Sequence, residues 1–491
     1  MARADEAEVE QQTSGPLPRD EVDIKREHSA GSEETIARRE GNPEGLDSVG
    51  KKEEGSDVEA APVTSSAPAP LPDGGYGWVV VASVFWVNAF TWGVNASFSI
   101  YLSYYLSNDI FPGATNLDYA FIGGLSIALA LFIAPLATYL NRRYSFRTTM
   151  LIGVALQVGG LIAASFTKEI WQLFLSQGVA CGTGMGFIFV ACFGIPSQWF
   201  HRRRGMANGV VTAGSGIGGI IWSLGTNAII RNLGLPWAFR ITAICCFAVN
   251  TTAAFLIRDR NKHIRPNQRA FDLKILVRPE YILVMLWGVF SMLGYIVLLY
   301  SLPAYAVAQG MTSEQGSIVG AMLSLGITFG RPLVGIGSDW TGRINMAGGA
   351  TLFCALTVFA IWIPAKTFGV LVFFAIINGA VCGTFWTCAG SVSAEVVGLV
   401  DLPSALSLLW LSVVPPCIFS EPIGLELRHG SGPASYLSAQ IYVGVMYVAA
   451  GACMFMVRAW KISHTLKESG GHAGPRDPAS WIRLMIGPGK V

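Results

Sequence analysis

Charge is what this sequence has least of. Asp, Glu, Lys and Arg make up 13% of its 491 residues, while hydrophobic residues make up 52%; an ordinary soluble domain carries roughly 25% charged residues. A chain so poor in charge is read as a multi-span membrane protein. The charge that exists is unevenly spread, since residues 1–72 hold about half of the 32 acidic residues and the remainder of the chain is basic. The net charge of +2 therefore gives no sign of a nucleic-acid partner, and none is expected.

Other absences narrow the field. The opening MARADEAEVEQQ lacks the basic start and apolar run of a secretory signal, so the first span is expected to direct its own insertion. The nine cysteines (Cys181, Cys192, Cys245, Cys246, Cys354, Cys382, Cys388, Cys417 and Cys453) lie in apolar segments without paired metal-ligand spacing. They are read as small packing residues, and no metal or cofactor is expected. Two glycosylation sequons, at Asn95 and Asn250, fall inside apolar runs where the modifying machinery cannot reach. No stretch alternates as barrel strands do. No nucleophile, base and metal set falls on the apolar segments, so the chain is not expected to be an enzyme.

What is present is a series of apolar runs. A bilayer core of ~30 Å needs ~20 apolar residues per helix, and that ruler predicts twelve helices, at about 76–101, 119–140, 148–167, 170–194, 206–230, 239–257, 281–308, 316–337, 344–364, 369–392, 404–427 and 436–457. The basic stretch RDRNKHIRPNQRAFDLKILVRPE divides them six and six. Basic residues concentrate in NRRYSFR, FHRRRG, the central stretch and DWTGR, whereas loops such as SNDIFPGATNLD and QGMTSEQ have almost none. Positive charge stays on the cytoplasmic side, which places both termini there. The predicted layout is a disordered acidic tail at 1–72, a first bundle at 73–257, a cytoplasmic loop at 258–280, a second bundle at 281–457 and a cytoplasmic tail at 458–491.

At the border between tail and first span stands DGGYGW, Asp73 to Trp78: Asp73, Gly74, Gly75, Tyr76, Gly77 and Trp78. Asp73 is expected to cap the amides of the first helix, and Tyr76 and Trp78 suit headgroup depth. These letters also resemble the first-helix signature of the monocarboxylate transporter family of the major facilitator superfamily. QWFHRRRGMANGVVTAGSGIGG before and within the fifth span, and GRPLVGIGSDWTGR at the eighth, are similar to two further motifs of that family and superfamily. The resemblance covers about residues 71–459. It implies an all-α integral membrane protein, twelve transmembrane helices as two six-helix bundles of the major facilitator fold, that moves solute by alternating access.

Departures from the family pattern shape the expectation. Animal members carry a Lys in helix one and an Asp one turn before the helix-eight Arg, both used in proton-coupled carboxylate transport. The matching positions here are Asn95 or Ala96, and Ile327; only the Arg remains, as Arg331. The chain thus looks closer to the family's fungal branch, whose substrates vary.

Arg331 lies deep in the eighth span, followed by Pro332. An Arg at that depth requires a wet cavity or a partner, and its fork matches a carboxylate; the alternative is an interior ion pair or carbonyl cap. Glu421 in the eleventh span is the candidate proton carrier, its carboxyl pKa open to being raised by burial, or else a paired Glu near the outer face. Glu395 and Asp401 are read as solvated or helix-end residues. Asp339, Gly342 and Arg343 form a turn suited to a gate whose ion pairs form and break between bundles; the first-half counterpart has Asn141 instead of an acid. GSGIGG, Gly214 to Gly219, has the letters of a dinucleotide fingerprint but no preceding strand, and is read as a helix-packing face, like GVACGTGMG in the fourth span. It also faintly resembles an antiporter motif of the superfamily, with Ser215 where that motif has Pro. HRRRG, His201 to Gly205, is explained by positive-inside anchoring. Trp92, Tyr295, Tyr300, Phe385 and Trp386, with Asn95 and Asn378, are candidate cavity residues beside Arg331. Their aromatic character favours an amphiphilic organic acid over a sugar.

The expected partners are a small organic anion and the lipid bilayer, with protons as a candidate co-substrate and any accessory subunit left open. The expected location is the plasma membrane, with the vacuolar membrane as alternative. Two other functions remain: export of a fungal secondary metabolite, and a non-transporting nutrient receptor on a transporter fold.

Overall fold

Six apolar runs on either side of a basic stretch call for two groups of helices. The computed structural model describes residues 73–108, 110–111, 113–114, 116–260, 272–428, 432–468 and 484–485, and all regular structure among them is helical. The acidic tail at 1–72, residues 261–271 of the central stretch and most of 469–491 lie outside the described residues.

In the first half, α1 (Gly77–Ala89), α2 (Trp92–Ala96) and α3 (Phe98–Asn108) make one broken span, and α4 (Asn116–Phe132) with α5 (Ala134–Arg143) makes a bent one. There follow α6 (Phe146–Ala164), α7 (Ile170–Leu173) running through a wider-wound stretch into α8 (Cys181–Phe193), the single turn α9 (Pro196–Trp199), α10 (Arg204–Leu233) and α11 (Leu235–Leu256). After the short α12 (Leu273–Leu276), the second half contains α13 (Pro279–Ala308), α14 (Ser313–Thr341), α15 (Arg343–Thr357), α16 (Phe368–Cys382), α17 (Thr384–Ser412), α18 (Val414–Glu426) and α19 (Leu437–Glu468).

Among the described residues nine helical runs are long and apolar enough to cross a membrane, ten with the bent α4–α5 pair. The run Phe368–Glu426 is two spans, because Gly398 inside α17 has φ 81° and ψ 171°, a backbone conformation that suits glycine and ends a helix. The glycine-rich α10, thirty residues long, is the twelfth. Two predicted spans differ most from the helices observed. The first is interrupted around Phe90 and Thr91 and again at Ser97, and the last continues as helix to Glu468 instead of ending at 457.

Within lipid there is little hydrophobic drive between helices, so close backbone approach decides which pack. The most extensive pairing between the halves is α10 on α14. A Cβ on Gly205 would lie 2.6 Å from the Gly335 carbonyl oxygen, and one on Gly209 would lie 2.6 Å from that of Arg331. Gly216 likewise abuts Thr328, while Gly214 and Gly218 abut Phe85 and Ala89 of α1. The GSGIGG run is thus wedged between α1 and α14. On the opposite side of the junction, α4 and α5 meet α18 and α17. One apolar cluster joins the halves, with Leu131, Phe189 and Phe193 from the first and Trp287, Phe385 and Trp410 from the second.

Candidate functional site

The junction between halves holds the deep cation. Arg331 lies in the middle of α14 and is 8% exposed. Pro332 beside it has no amide hydrogen, so the helix loses one hydrogen bond at that turn. The Arg331 Nη1 donates to the Thr212 carbonyl at 2.7 Å and to the Ser215 hydroxyl, both on α10 of the other half. Among the described residues its Nε has no hydrogen-bond partner and no carboxylate forms an ion pair with it. Tyr295 of α13 interacts with the same guanidinium, so these two predicted residues are brought together. Ile327 is buried one turn away.

Aromatic residues of both halves form a continuous cluster at the junction. Trp386 stacks on Trp410 at 5.6 Å and 17°, and Trp92 of the first half lies 5.3 Å from Trp386. Phe189 contacts both Trp92 and Trp410, and Phe193 contacts Trp410. The Trp92 indole nitrogen is buried and has no hydrogen-bond partner among the described residues. The sequence reading found Trp92, Trp386 and Phe385 but missed Phe189, Phe193 and Trp410; all three sit in uniformly apolar runs where no period marks the junction face. Tyr300 on α13 is 48% exposed.

Each of the two asparagines bonds within its own half. Asn95 accepts from the Ser126 hydroxyl at 2.9 Å. Asn378 is fully buried between α16 and α15, donating to Thr357 Oγ1 at 2.7 Å and to the Cys354 carbonyl at 3.3 Å. Its amide fastens two helices of the second half together. Glu421 lies on α18 by its backbone, and its side chain is outside the described residues.

The end of the molecule that carries the basic loops is closed. Asp339, on the last turn of α14, accepts from the amides of Gly205 and Met206, each at 2.8 Å. Arg203 at the cap position of α10 supplies no side-chain bond, so the second half caps a helix of the first. Gly342, at φ 102°, ends α14 and begins α15, which turns Arg343 back toward that cap. Arg343 donates to Glu395 and to the His201 carbonyl, and its Nε is 4.0 Å from Asp339. Glu395 thus pairs with Arg343 and lies in α17 three residues before the break at Gly398, a paired helix-end residue and not the solvated one that was the other reading; the sequence shows neither the length of α17 nor the fold of its end onto α15. Asp401 is 3.9 Å from Arg278.

DGGYGW belongs to this same end. Asp73, expected to cap the first helix, instead accepts from His201 and Arg202 amides at 2.5 and 2.8 Å, and Tyr76 at the cap position makes no side-chain cap. Burial draws the Asp73 carboxyl upward, but the amides of His201, Arg202 and Arg203 and the His201 charge outweigh it and hold it below its usual range. Tyr76 donates to the Leu256 carbonyl at 2.7 Å, and the Arg258 guanidinium sits 4.4 Å from its ring. Trp78 meets Phe200 edge-on at 4.9 Å, and a Cβ on Gly77 would come within 3.0 Å of Phe200. Two of the family-like motifs thus pack on each other. Sequence alone could not show that.

Among the described residues no group of three His, Cys, Asp or Glu is placed to hold a metal. A groove of about 530 Å³ lined by Gly159, Phe166, Trp171 and Leu175 shares no residue with the junction. What the junction offers is a fixed buried cation, an aromatic wall and a closed, breakable end.

Twelve apolar spans, disposed on either side of a central basic stretch and packed along one junction, are the architecture of a membrane transporter. The chain belongs to the Major Facilitator Superfamily, which it matches over residues 81–414. It is 36% identical over 399 residues to the probable transporter MCH2 of Saccharomyces cerevisiae, covering 80% of this chain and 84% of that one. It is also 27% identical to the fujikurins efflux protein of Gibberella fujikuroi, covering 81% and 85%. Its fold is similar to that of the proton:xylose symporter XylE, with a TM-score of 0.64 at 13% identity, covering 77% of this chain and 95% of that one. Like other members it is a carrier and not an enzyme.

Proposed function

We propose that the chain carries small to medium organic anions of monocarboxylate type by alternating access across the plasma membrane, with both termini cytoplasmic. The observation that supports this most is Arg331, a nearly fully buried guanidinium at the junction whose Nε is unpaired. A charge at such depth is costly unless answered, and a substrate carboxylate answers it while the aromatic wall of Trp386, Trp410 and Trp92 takes an apolar body. The closed basic end then represents one of the two alternating states. Uptake and efflux of a panel of organic acids in transporter-deficient cells, wild type against Arg331→Gln, tests the reading: saturable carboxylate transport that the variant loses supports it.

Without a charged residue at Asn95, Ala96 or Ile327, proton coupling has two forms left: a uniport insensitive to the pH gradient, or a coupling through Glu421. Accumulation in vesicles under an imposed pH gradient, wild type against Glu421→Gln, separates them. Equal uphill accumulation by both proteins contradicts both forms. A second reading, export of a secondary metabolite, draws on the similarity to the fujikurins efflux protein; it predicts that cells expressing the chain gain resistance to an amphiphilic metabolite and show no carboxylate uptake.

A further inference from the structure

The groove away from the junction lies on the surface of the first half, with α6 as one wall and α7 and the wider-wound stretch Phe174–Ala180 as the other. Its α6 wall is made of small residues: Ala155, Gly159 and Ala163 recur at every fourth position and all three are exposed. A Cβ added to Gly159 would meet nothing within 4 Å, whereas one on Gly160 would lie 2.8 Å from the Cys181 sulfur and from the Ser176 carbonyl oxygen, so close packing at Gly160 holds the two walls together beneath the groove. The rim is large and apolar, with Phe166, Trp171 and Leu175 each more than half exposed. From Ala155 to Ala163 the wall rises about 12 Å along the helix, and the groove continues past Phe166 to Thr167; one leaflet of a ~30 Å hydrocarbon core is about 15 Å deep. A space of about 530 Å³ with this length and lining suits an alkyl chain.

The mouth of the groove, at the end opposite the basic loops, carries positive charge. The Arg240 guanidinium of α11 sits 4.8 Å from the ring of Phe166 and 5.4 Å from that of Trp237, and its Nε donates to the Ser165 hydroxyl at 3.2 Å. Lys168, next to the groove residue Thr167, is exposed. Among the described residues no carboxylate forms an ion pair with either cation. The acid beside them, Glu169, accepts from the Trp171 indole nitrogen. Anchoring by positive charge belongs to the other end of the molecule and does not account for these two. Arg240 is also the sixth residue of α11, near the positive end of that helix, where an anion is the favourable neighbour. We propose that the groove is a binding site for an anionic phospholipid, with an acyl chain along Ala155, Gly159 and Ala163 and the phosphate at Arg240 and Lys168. A zwitterionic headgroup brings a cation of its own back beside these residues, so a net negative headgroup is preferred. Free phosphate has no chain for the groove to hold.

The test needs no transported solute, so its outcome is separate from that of the transport reading. Full-length protein in detergent is titrated with dioleoyl phosphatidylglycerol, with dioleoyl phosphatidylcholine of the same chains, and with glycerol phosphate, and bound lipid is counted by native mass spectrometry alongside the melting temperature. Wild type is expected to retain one phosphatidylglycerol more tightly than any phosphatidylcholine and to melt higher with it, and glycerol phosphate should do neither. Arg240→Gln and Lys168→Gln should each weaken phosphatidylglycerol about fivefold and leave phosphatidylcholine unchanged, while Arg240→Lys keeps the preference. Gly159→Phe, which fills the groove where nothing else stands and leaves both cations in place, should lose the bound phosphatidylglycerol. Equal retention of the two lipids by wild type overturns the headgroup site. Stabilisation by glycerol phosphate equal to that by phosphatidylglycerol, or a Gly159→Phe protein that retains phosphatidylglycerol as wild type does, overturns the groove as its seat.

Discussion

The Asp339 carboxylate of the second half caps the amides of Gly205 and Met206 at the start of a helix in the first half, each at 2.8 Å. Because these bonds cross the junction, they exist only while this end is closed. Losing an N-cap costs about 0.5–2 kcal/mol, so Asp339→Ala should shift the equilibrium toward the open basic end by roughly two- to thirtyfold. A cysteine at fully buried Ser338 reads the shift: its labelling rate should rise in the Asp339→Ala background. An unchanged rate removes Asp339 from the gate.

The glycine face of α10 makes a sterically sharper prediction. At Gly209 a methyl group meets the Arg331 carbonyl at 2.6 Å and the Pro332 Cα at 3.1 Å, whereas at Gly225 nothing lies within 4 Å. Backbone atoms cannot move aside as a side chain can, so Gly209→Ala should slow transport by about tenfold or more, consistent with overpacking of ~1–3 kcal/mol. Gly225→Ala should transport like wild type. Similar rates for both variants contradict the close-packed junction.

How much of this was readable from the letters depends on what the letters encode. Span number and helical type follow from run length and composition, because the bilayer sets a fixed ruler. The gate's Asp339, Gly342 and Arg343 stood out because charge is rare here. The partners did not: Thr212 contributes a main-chain oxygen to Arg331, and His201 one to Arg343, which no residue type signals. Asp73 was misassigned for a related reason, since a carboxylate before a helix resembles a local cap whether its amides are adjacent or more than a hundred residues away. Asn378 was placed in the cavity because polarity inside a span attracts attention, yet its bonds to Thr357 and Cys354 hold neighbouring helices.

Arg343 and Glu395 should behave as a coupled pair. A double-mutant cycle with Arg343→Ala and Glu395→Ala on thermal stability is expected to show a coupling of about 1 kcal/mol, the range for a partly exposed pair within a network. Strict additivity contradicts the contact.

Asp73 sets a pH expectation. Its folded pKa lies below the usual carboxylate range, so its contribution to stability is complete above the unfolded value of ~3.9 and is lost as pH falls through the folded one. The melting-temperature gap between wild type and Asp73→Asn should therefore be the same at pH 8 and pH 5 and should narrow only below about pH 4. A gap that closes between pH 8 and pH 5 assigns the titration to another group.

The central claim is that Arg331 answers the substrate's charge, and the most direct measurement is the initial uptake rate of labelled benzoate into liposomes carrying wild type, Arg331→Lys or Arg331→Gln at matched protein content. The account predicts saturable wild-type uptake, severe weakening in Arg331→Lys because the charge remains but the fork is gone, and none in Arg331→Gln. Wild-type uptake by a correctly inserted Arg331→Gln contradicts it and makes Arg331 a structural residue of the junction.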